Sequence, residues 1–210
     1  MSVSRRSRVF DRLLLATGNR HKYGEFLELL PRRAVKDLIF APELPRTAQI
    51  TEVDETGSTY VMNALLKALA WSAASGLPSL ADDSGLEVEA LGWKPGVRSA
   101  RVFDEGRFLS SDAERNQWLL TRMEGKAGRR ARFVAAVVLS VPGEWALACE
   151  GVCDGRLAAS ETGAQGFGYD PLFIPDGYDI SFGELPPSVK NRISHRARAV
   201  AALLDIMADA

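Results

Sequence analysis

Cysteine is nearly absent: two occur in 210 residues, Cys149 and Cys153, both inside the apolar run 145–153. Along a strand their spacing separates the sulfurs by roughly 13 Å, beyond disulfide reach, and two thiols alone make a poor zinc site. They read as small packing residues, and a reducing, cytoplasmic setting fits them. Long apolar runs are missing too. No segment approaches the ~20 residues of a membrane span, which argues against a membrane partner. The run Leu13–Ala16 stops at Thr17-Gly18-Asn19, too soon to be the apolar part of an export signal behind Arg5-Arg6. A basic excess is lacking as well, with 26 Lys+Arg against 27 Asp+Glu and a net charge of −1. That balance argues against a chain whose main partner is a nucleic-acid backbone. Neither glycine-rich loop of the common nucleotide folds is present.

What remains is an ordinary globular composition, 46% apolar and 25% charged, in a chain long enough for one substantial core. Residues 1–8 read as a tail and 9–210 as a single domain. Arg12–Ala16 reads as a first strand, 17–19 as a turn and Arg20–Leu30 as a helix ended by Pro31. The first amides of such a helix favour a phosphate, with Lys22 adding charge and Asn19 an amide donor; the same residues also make a plain capped helix. Val35–Phe40 is a second strand. After an acidic loop, 52–57, a long helix starts at Ser58 or Thr59 and ends at Gly76, with Asn63 and Lys67 at the edge of its apolar stripe.

Farther on, 90–101 reads as a fixed loop, Ser111 caps a helix over Asp112–Met123, and Lys126–Arg132 reads as a solvated basic loop. Two β-type runs, 133–141 and 144–152, meet at Pro142-Gly143 as a hairpin. A strand–helix beginning with a later hairpin points to an α/β fold with a mixed sheet.

Three stretches carry chemistry. The apolar segment after Pro78 delivers Asp82 and Asp83 ahead of a turn at Ser84-Gly85. Adjacent strand residues face opposite ways, so one carboxylate of the pair points into any given site and asks for a cation; an ordinary polar turn is the other reading. Gly166-Phe167-Gly168-Tyr169-Asp170 joins conformational freedom to aromatic faces that can stack on a heterocycle, and it can equally be a structural turn. Lys190, His195 and Arg196 put donors at a helix start, either for an acceptor-rich ligand or as a solvated cap.

Taken in order, these blocks resemble the inosine triphosphate pyrophosphatase family. They are Thr17-Gly18-Asn19 with Lys22, Glu55-Thr56-Gly57 with Asn63-Ala64 and Lys67-Ala68, and Ala81 through Leu86. They continue with Pro95-Gly96-Val97 and Ser99-Ala100-Arg101, Gly166 through Pro171, and Lys190 with Ile193 through Arg196. The resemblance implies an α/β fold whose mixed central sheet is flanked by helices, two lobes with a nucleotide cleft between them, and a homodimer. It implies Mg2+-dependent hydrolysis of non-standard purine nucleoside triphosphates, dITP, ITP, XTP and dXTP, to the monophosphate and pyrophosphate by water attack on the α-phosphorus. Carried over residue by residue, Thr17, Gly18, Asn19, Arg20, His21 and Lys22 would hold the triphosphate. Asp83 and Lys67 would be catalytic, Asp83 and Glu55 would take the metal with Asp54 and Asp82 in reserve, and Ser84 would touch the substrate. Phe167, Gly168, Tyr169, Asp170, Lys190, His195 and Arg196 would surround the base. A 6-oxo purine presents an acceptor where adenine presents an amino donor, so donors there favour the former. Two rivals stand beside this reading. One is an aspartyl-phosphate phosphatase, whose two aspartates are normally one residue apart and not adjacent as here; the other is a nucleotide-binding regulator without turnover.

Overall fold

The structure, a computed structural model, describes residues 9–45, 50 and 53–209; the tail 1–8 and Glu52 of the acidic loop lie outside the described residues. Its strands are β1 (Phe10–Leu15), β2 (Val35–Phe40), β3 (Ser79–Val88), β4 (Lys94–Pro95), β5 (Phe103–Asp104), β6 (Arg107–Phe108), β7 (Arg130–Val141), β8 (Trp145–Leu157) and β9 (Phe173–Pro175). The helices are α1 (Arg20–Leu29), α2 (Tyr60–Ser75), α3 (Asp112–Arg122), α4 (Pro187–Ile193) and α5 (His195–Asp209). Strands β1 and β2 pair in parallel, as do β1 and β3 through Leu14–Ser79 and Leu15–Leu80, whereas β3–β4 and β8–β9 are antiparallel. The result is a mixed seven-stranded sheet in the order β2-β1-β3-β7-β8-β9 with β4 beside β3, as the sequence pattern requires; β5 and β6 form a separate ribbon.

Helix starts follow their caps. The Asn19 side chain accepts from His21 N and Lys22 N, that of Thr59 from Met62 N, and Ser111 and Glu114 cap each other's backbone at α3. Each such cap supplies an acceptor for amides that the helix itself leaves unpaired. Gly76 ends α2 with a left-handed φ of 68°, a conformation glycine adopts without penalty.

Two local expectations are overturned. Ser84-Gly85 does not turn: β3 runs on to Val88 and is held there by β4 at Glu87–Pro95 and Val88–Lys94, so ladder pairing overrides the turn preference of the dipeptide. The basic run 126–132 is not a solvated loop throughout. Arg130 already opens β7, Arg129 donates to the carbonyls of Leu157 and Ala158, and Arg132 pairs with Glu87 at 2.8 Å while covering the Trp93 ring at 4.5 Å.

The chain divides into two compact units: residues 1–83, 135–151 and 196–210 form one, and 84–134 and 152–195 the other. In the first, Leu13 and Leu15 of β1, Phe26 of α1, Leu80 of β3, Val137 and Leu139 of β7, and Ala199 and Leu203 of α5 make the core. Phe26 has no exposure; burying a side chain of that size contributes roughly 1.5–3 kcal/mol. In the second, Leu86, Leu119, Phe133, Leu157, Phe173 and Phe182 play the same part. Residues 133–140 of β7 are buried without alternation, the pattern of a strand covered on both faces. Cys149 and Cys153 both face inward from β8 as reduced cysteines, the packing role their spacing indicated.

Candidate active site

In the first unit β3 presents Asp82 and Asp83, 2% and 7% exposed, to different partners. The alternation of strand side chains separates them. Asp82 meets the Lys22 ammonium at 2.6 Å and the Arg196 guanidinium at 3.1 and 3.3 Å, and Arg196 also binds Glu25 of α1. Burial alone would raise the Asp82 pKa, but Arg196 and Lys22 outweigh it and hold the carboxyl well below the usual carboxylate range. Burial also lowers the pKa of Lys22, against the opposing attraction of Asp82.

Asp83 faces α2. Its Oδ2 accepts from Asn63 Nδ2 at 3.1 Å, and its Oδ1 lies 3.7 Å from Lys67 Nζ. Lys67 in turn donates to the Asp82 carbonyl at 2.8 Å and pairs with Glu55 at 3.0 Å. The i,i+4 spacing of Asn63 and Lys67 puts both on this face of α2. Asn63 Oδ1 closes the arrangement by accepting from Gly57 N at 2.8 Å; a Cβ at Gly57 would sit 2.7 Å from that same oxygen, so only glycine brings the Glu55–Gly57 backbone so near. Burial raises the Asp83 pKa, and Glu55 adds to this, while Lys67, Asn63 and Lys22 pull it down without cancelling the rise. A carboxylate kept reluctant to ionise beside an ammonium and a second carboxylate is suited to taking up a proton or sharing a cation.

The turn into α1 exposes Gly18, Asn19, Arg20 and His21, with Thr17 half-buried. Two amides that the sequence offered to a phosphate are taken: His21 N and Lys22 N both donate to Asn19 Oδ1, at 2.8 and 3.2 Å. Arg20 lies over the Phe40 ring at 5.3 Å. Asp54 is exposed.

The second unit holds the Gly-aromatic loop. Asp170, 2% exposed, accepts from Phe167 N at 2.8 Å and from Lys190 Nζ at 2.5 Å. Lys190 also sits 5.0 Å from the Phe167 ring centre, a cation–π distance. Gly166 has φ +75°, and a Cβ there would lie 2.0 Å from Asp170 Oδ2. Tyr169 is buried, its hydroxyl donating to Ser99 O at 3.0 Å, and burial pushes its pKa up. His195 is 4% exposed and stacks on Phe133 with centroids 4.7 Å apart and planes 14° apart. Ser84 follows the carboxylate pair on β3, half-buried.

The residues singled out from sequence therefore gather into two groups. Thr17 to Lys22, Glu55, Lys67, Asp82, Asp83 and Arg196 belong to the first unit; Ser84, Phe167 to Asp170, Lys190 and His195 belong to the second. Arg196 differs from expectation in its surroundings: it is buried against Asp82 and Glu25 and is not an open donor at a helix start. Sequence reasoning gave no role to Asn63 or Glu25. The four-residue step from Asn63 to Lys67 was the available signal for the first; Glu25 had none, because its partner is far along the chain.

Comparison with known proteins adds three findings. The model of the Ham1 family matches residues 13–206. The chain is 45% identical over 199 residues, 95% of its length and 94% of the relative's, to a protein of Deinococcus radiodurans named dITP/XTP pyrophosphatase. It superposes on a HAM1 protein from Coxiella burnetii with a TM-score of 0.81 and 36% identity, covering 96% of this chain and all of that one, and on a nucleoside-triphosphatase (dITP/XTP pyrophosphatase) from Mycobacterium abscessus with a TM-score of 0.71 and 39% identity, covering 92% of this chain and 98% of that one.

Proposed function

The chain belongs to the Ham1 family, and from that premise we propose that it hydrolyses non-standard purine nucleoside triphosphates, dITP, ITP, XTP and dXTP, to the monophosphate and pyrophosphate. The observation that carries the chemistry is Asp83, buried between the Asn63 amide and the Lys67 ammonium with its pKa raised. Such a carboxylate can accept the proton of a water attacking the α-phosphorus, since a base works best when its pKa approaches the working pH. Asn63 fixes its orientation. Lys67, already shared between Glu55 and Asp83, is placed to turn to phosphate oxygens as charge develops, and Lys22 is a second cation for the same load. Half-buried Thr17 and the exposed Gly18, Asn19, Arg20 and His21 form the turn proposed to receive the triphosphate. Arg196, itself paired with Glu25, acts behind them by holding Asp82.

The donor set fits Mg2+. Among the described residues no three His, Cys, Asp or Glu side chains gather as a metal cage, but Asp83 and Glu55 both lie within 4 Å of one ammonium. One or two carboxylates, with phosphates and waters completing the shell, is how Mg2+ is usually held in nucleotide sites. Bound there, Mg2+ would supply Lewis-acid stabilisation of phosphate charge. Phe167 is proposed to stack on the base, with Lys190 and Asp170 bracing it. We also propose a homodimer, supported by the exposed stripe Met62, Leu66 and Leu69 of α2, and a cytoplasmic setting, supported by the two reduced cysteines.

The test is pyrophosphate release from ITP, XTP and the four standard dNTPs, with and without Mg2+. Release from ITP and XTP in preference to the standard set is expected. Orthophosphate as first product would favour a phosphatase, tight binding without turnover a regulator, and equal rates on ATP and ITP would overturn the substrate assignment.

A further inference from the structure

One residue of the Gly-aromatic loop, Gly168, is gripped through both of its backbone polar groups by one helix. Gly168 N donates to Asp112 Oδ2 at 2.7 Å, and Gly168 O accepts from Asn116 Nδ2 at 3.2 Å. Asp112 and Asn116 are four apart on α3, hence on one face. Each is itself braced. Arg115 pairs with Asp112 Oδ1 and donates to Leu109 O at 2.9 Å, and Asn116 Nδ2 also donates to Glu161 at 2.8 Å. Asn116 is 2% exposed, and its Oδ1 has no hydrogen-bond partner among the described residues. Only the donor half of this buried amide is used, shared between Glu161 and the loop.

The consequence for the loop follows from peptide geometry. Gly168 has φ +63°, and the peptide joining it to Tyr169 is trans. In a trans peptide the C=O and N–H point opposite ways, so a carbonyl turned to Asn116 turns the Tyr169 N–H away from α3. The Tyr169 side chain is anchored separately at Ser99 O, which keeps that residue from rotating to undo the arrangement. We propose that Asp112 and Asn116 are positioning residues that clamp Gly168 and so direct the Tyr169 N–H as a donor to the 6-oxo group of a purine. This rests on the proposed function. A donor fixed there matches a carbonyl and opposes the amino group of adenine, a mismatch that leaves polar groups unpaired.

The experiment compares wild type with Asp112→Ala, Asn116→Ala and Asp112→Asn. Asp112 has a side chain 46% exposed, so its replacement leaves the core untouched. kcat/KM is measured for ITP and ATP by pyrophosphate release, and hydrogen exchange is followed over residues 166–170. The clamp predicts that both alanine variants lose ~10-fold of the ITP-over-ATP ratio, mainly through KM for ITP, as expected for a lost or misdirected hydrogen bond. It also predicts faster exchange confined to that segment, and recovery of most of the ratio in Asp112→Asn, which keeps an oxygen for Gly168 N. An unchanged ratio in Asp112→Ala overturns the clamp whether or not Asn116→Ala folds. A wild type inactive on ITP overturns the proposed function instead; unaltered exchange in the variants then overturns the clamp independently.

Discussion

Replacing Asp82 by Asn neutralises the centre of a buried charge network without changing its shape. The Asp82 carboxylate is 1% exposed and faces two cations, Lys22 at 2.6 Å and Arg196 at 3.1 Å. Removing one partner from a buried ion pair costs about 3–5 kcal/mol, most of it the penalty of the charge left behind. Lys22, whose pKa burial already lowers, can escape part of that penalty by losing its proton. Arg196 keeps its charge but retains Glu25. Both effects favour the lower end, about 3 kcal/mol, which for a chain of this size shifts the melting temperature by roughly 6–12 °C. Thermal unfolding at pH 7, followed by tryptophan fluorescence, reads this directly. Because the cost lies in an abandoned cation, Lys22→Met in the same chain should return part of it, so the double variant is more stable than the sum of the single losses predicts. An Asp82→Asn protein as stable as wild type, or strict additivity in the double variant, would mean that no buried cation is left uncompensated when the Asp82 charge is removed.

Other expectations follow from the same geometry. Asp83→Asn should lower kcat on ITP by at least ~100-fold, the scale of general-base catalysis, with no loss of melting temperature, because a carboxylate whose charge is disfavoured is replaced by a neutral amide; full activity removes Asp83 from the mechanism. Gly166→Ala forces a Cβ to 2.0 Å from Asp170 Oδ2 at a φ of +75°, and should raise KM for ITP by ~10-fold or more, at a cost of about 1–3 kcal/mol in stability; an unaltered KM counts against a role for the loop. Glu114 is held at a pKa of about 2 by Arg107, Ser110 and Ser111. A depressed carboxyl contributes above its unfolded value of about 4.5 and loses that contribution as pH falls through the folded value, so exchange protection at the first turn of α3 should fade between those limits and not above them. Chelating Mg2+ should stop turnover while leaving the unfolding midpoint in place, since Lys67 already pairs with both Asp83 and Glu55; a large drop in midpoint would argue for a structural metal.

Much of the fold was legible because its signals are local. The caps Asn19, Thr59 and Ser111 and the terminator Gly76 lie beside the helices they bound, and the Pro142-Gly143 turn lies between the strands it joins. Ser84-Gly85 misled because strand pairing at Glu87 and Val88, invisible locally, carries the chain straight on. Arg132 misled for a similar reason: its partners Glu87 and Trp93 are distant in sequence. In the candidate site the acidic pair was readable, and so was the separation of its two side chains. What could not be read was the ownership of the cations. Lys22 and Arg196 serve Asp82, Lys67 serves Glu55 and Asp83, and the Asn63 amide joins Asp83 to the Gly57 backbone. Those pairings are tertiary facts.

The most direct measurement is the ratio of kcat/KM for ITP to that for ATP, with Mg2+ present and the products identified. ITP should give inosine monophosphate and pyrophosphate, with ATP disfavoured by at least ~100-fold; a site that leaves polar groups unpaired against the wrong base can reach ~10⁴-fold. A ratio near one, or orthophosphate as the first product, would contradict the proposed function.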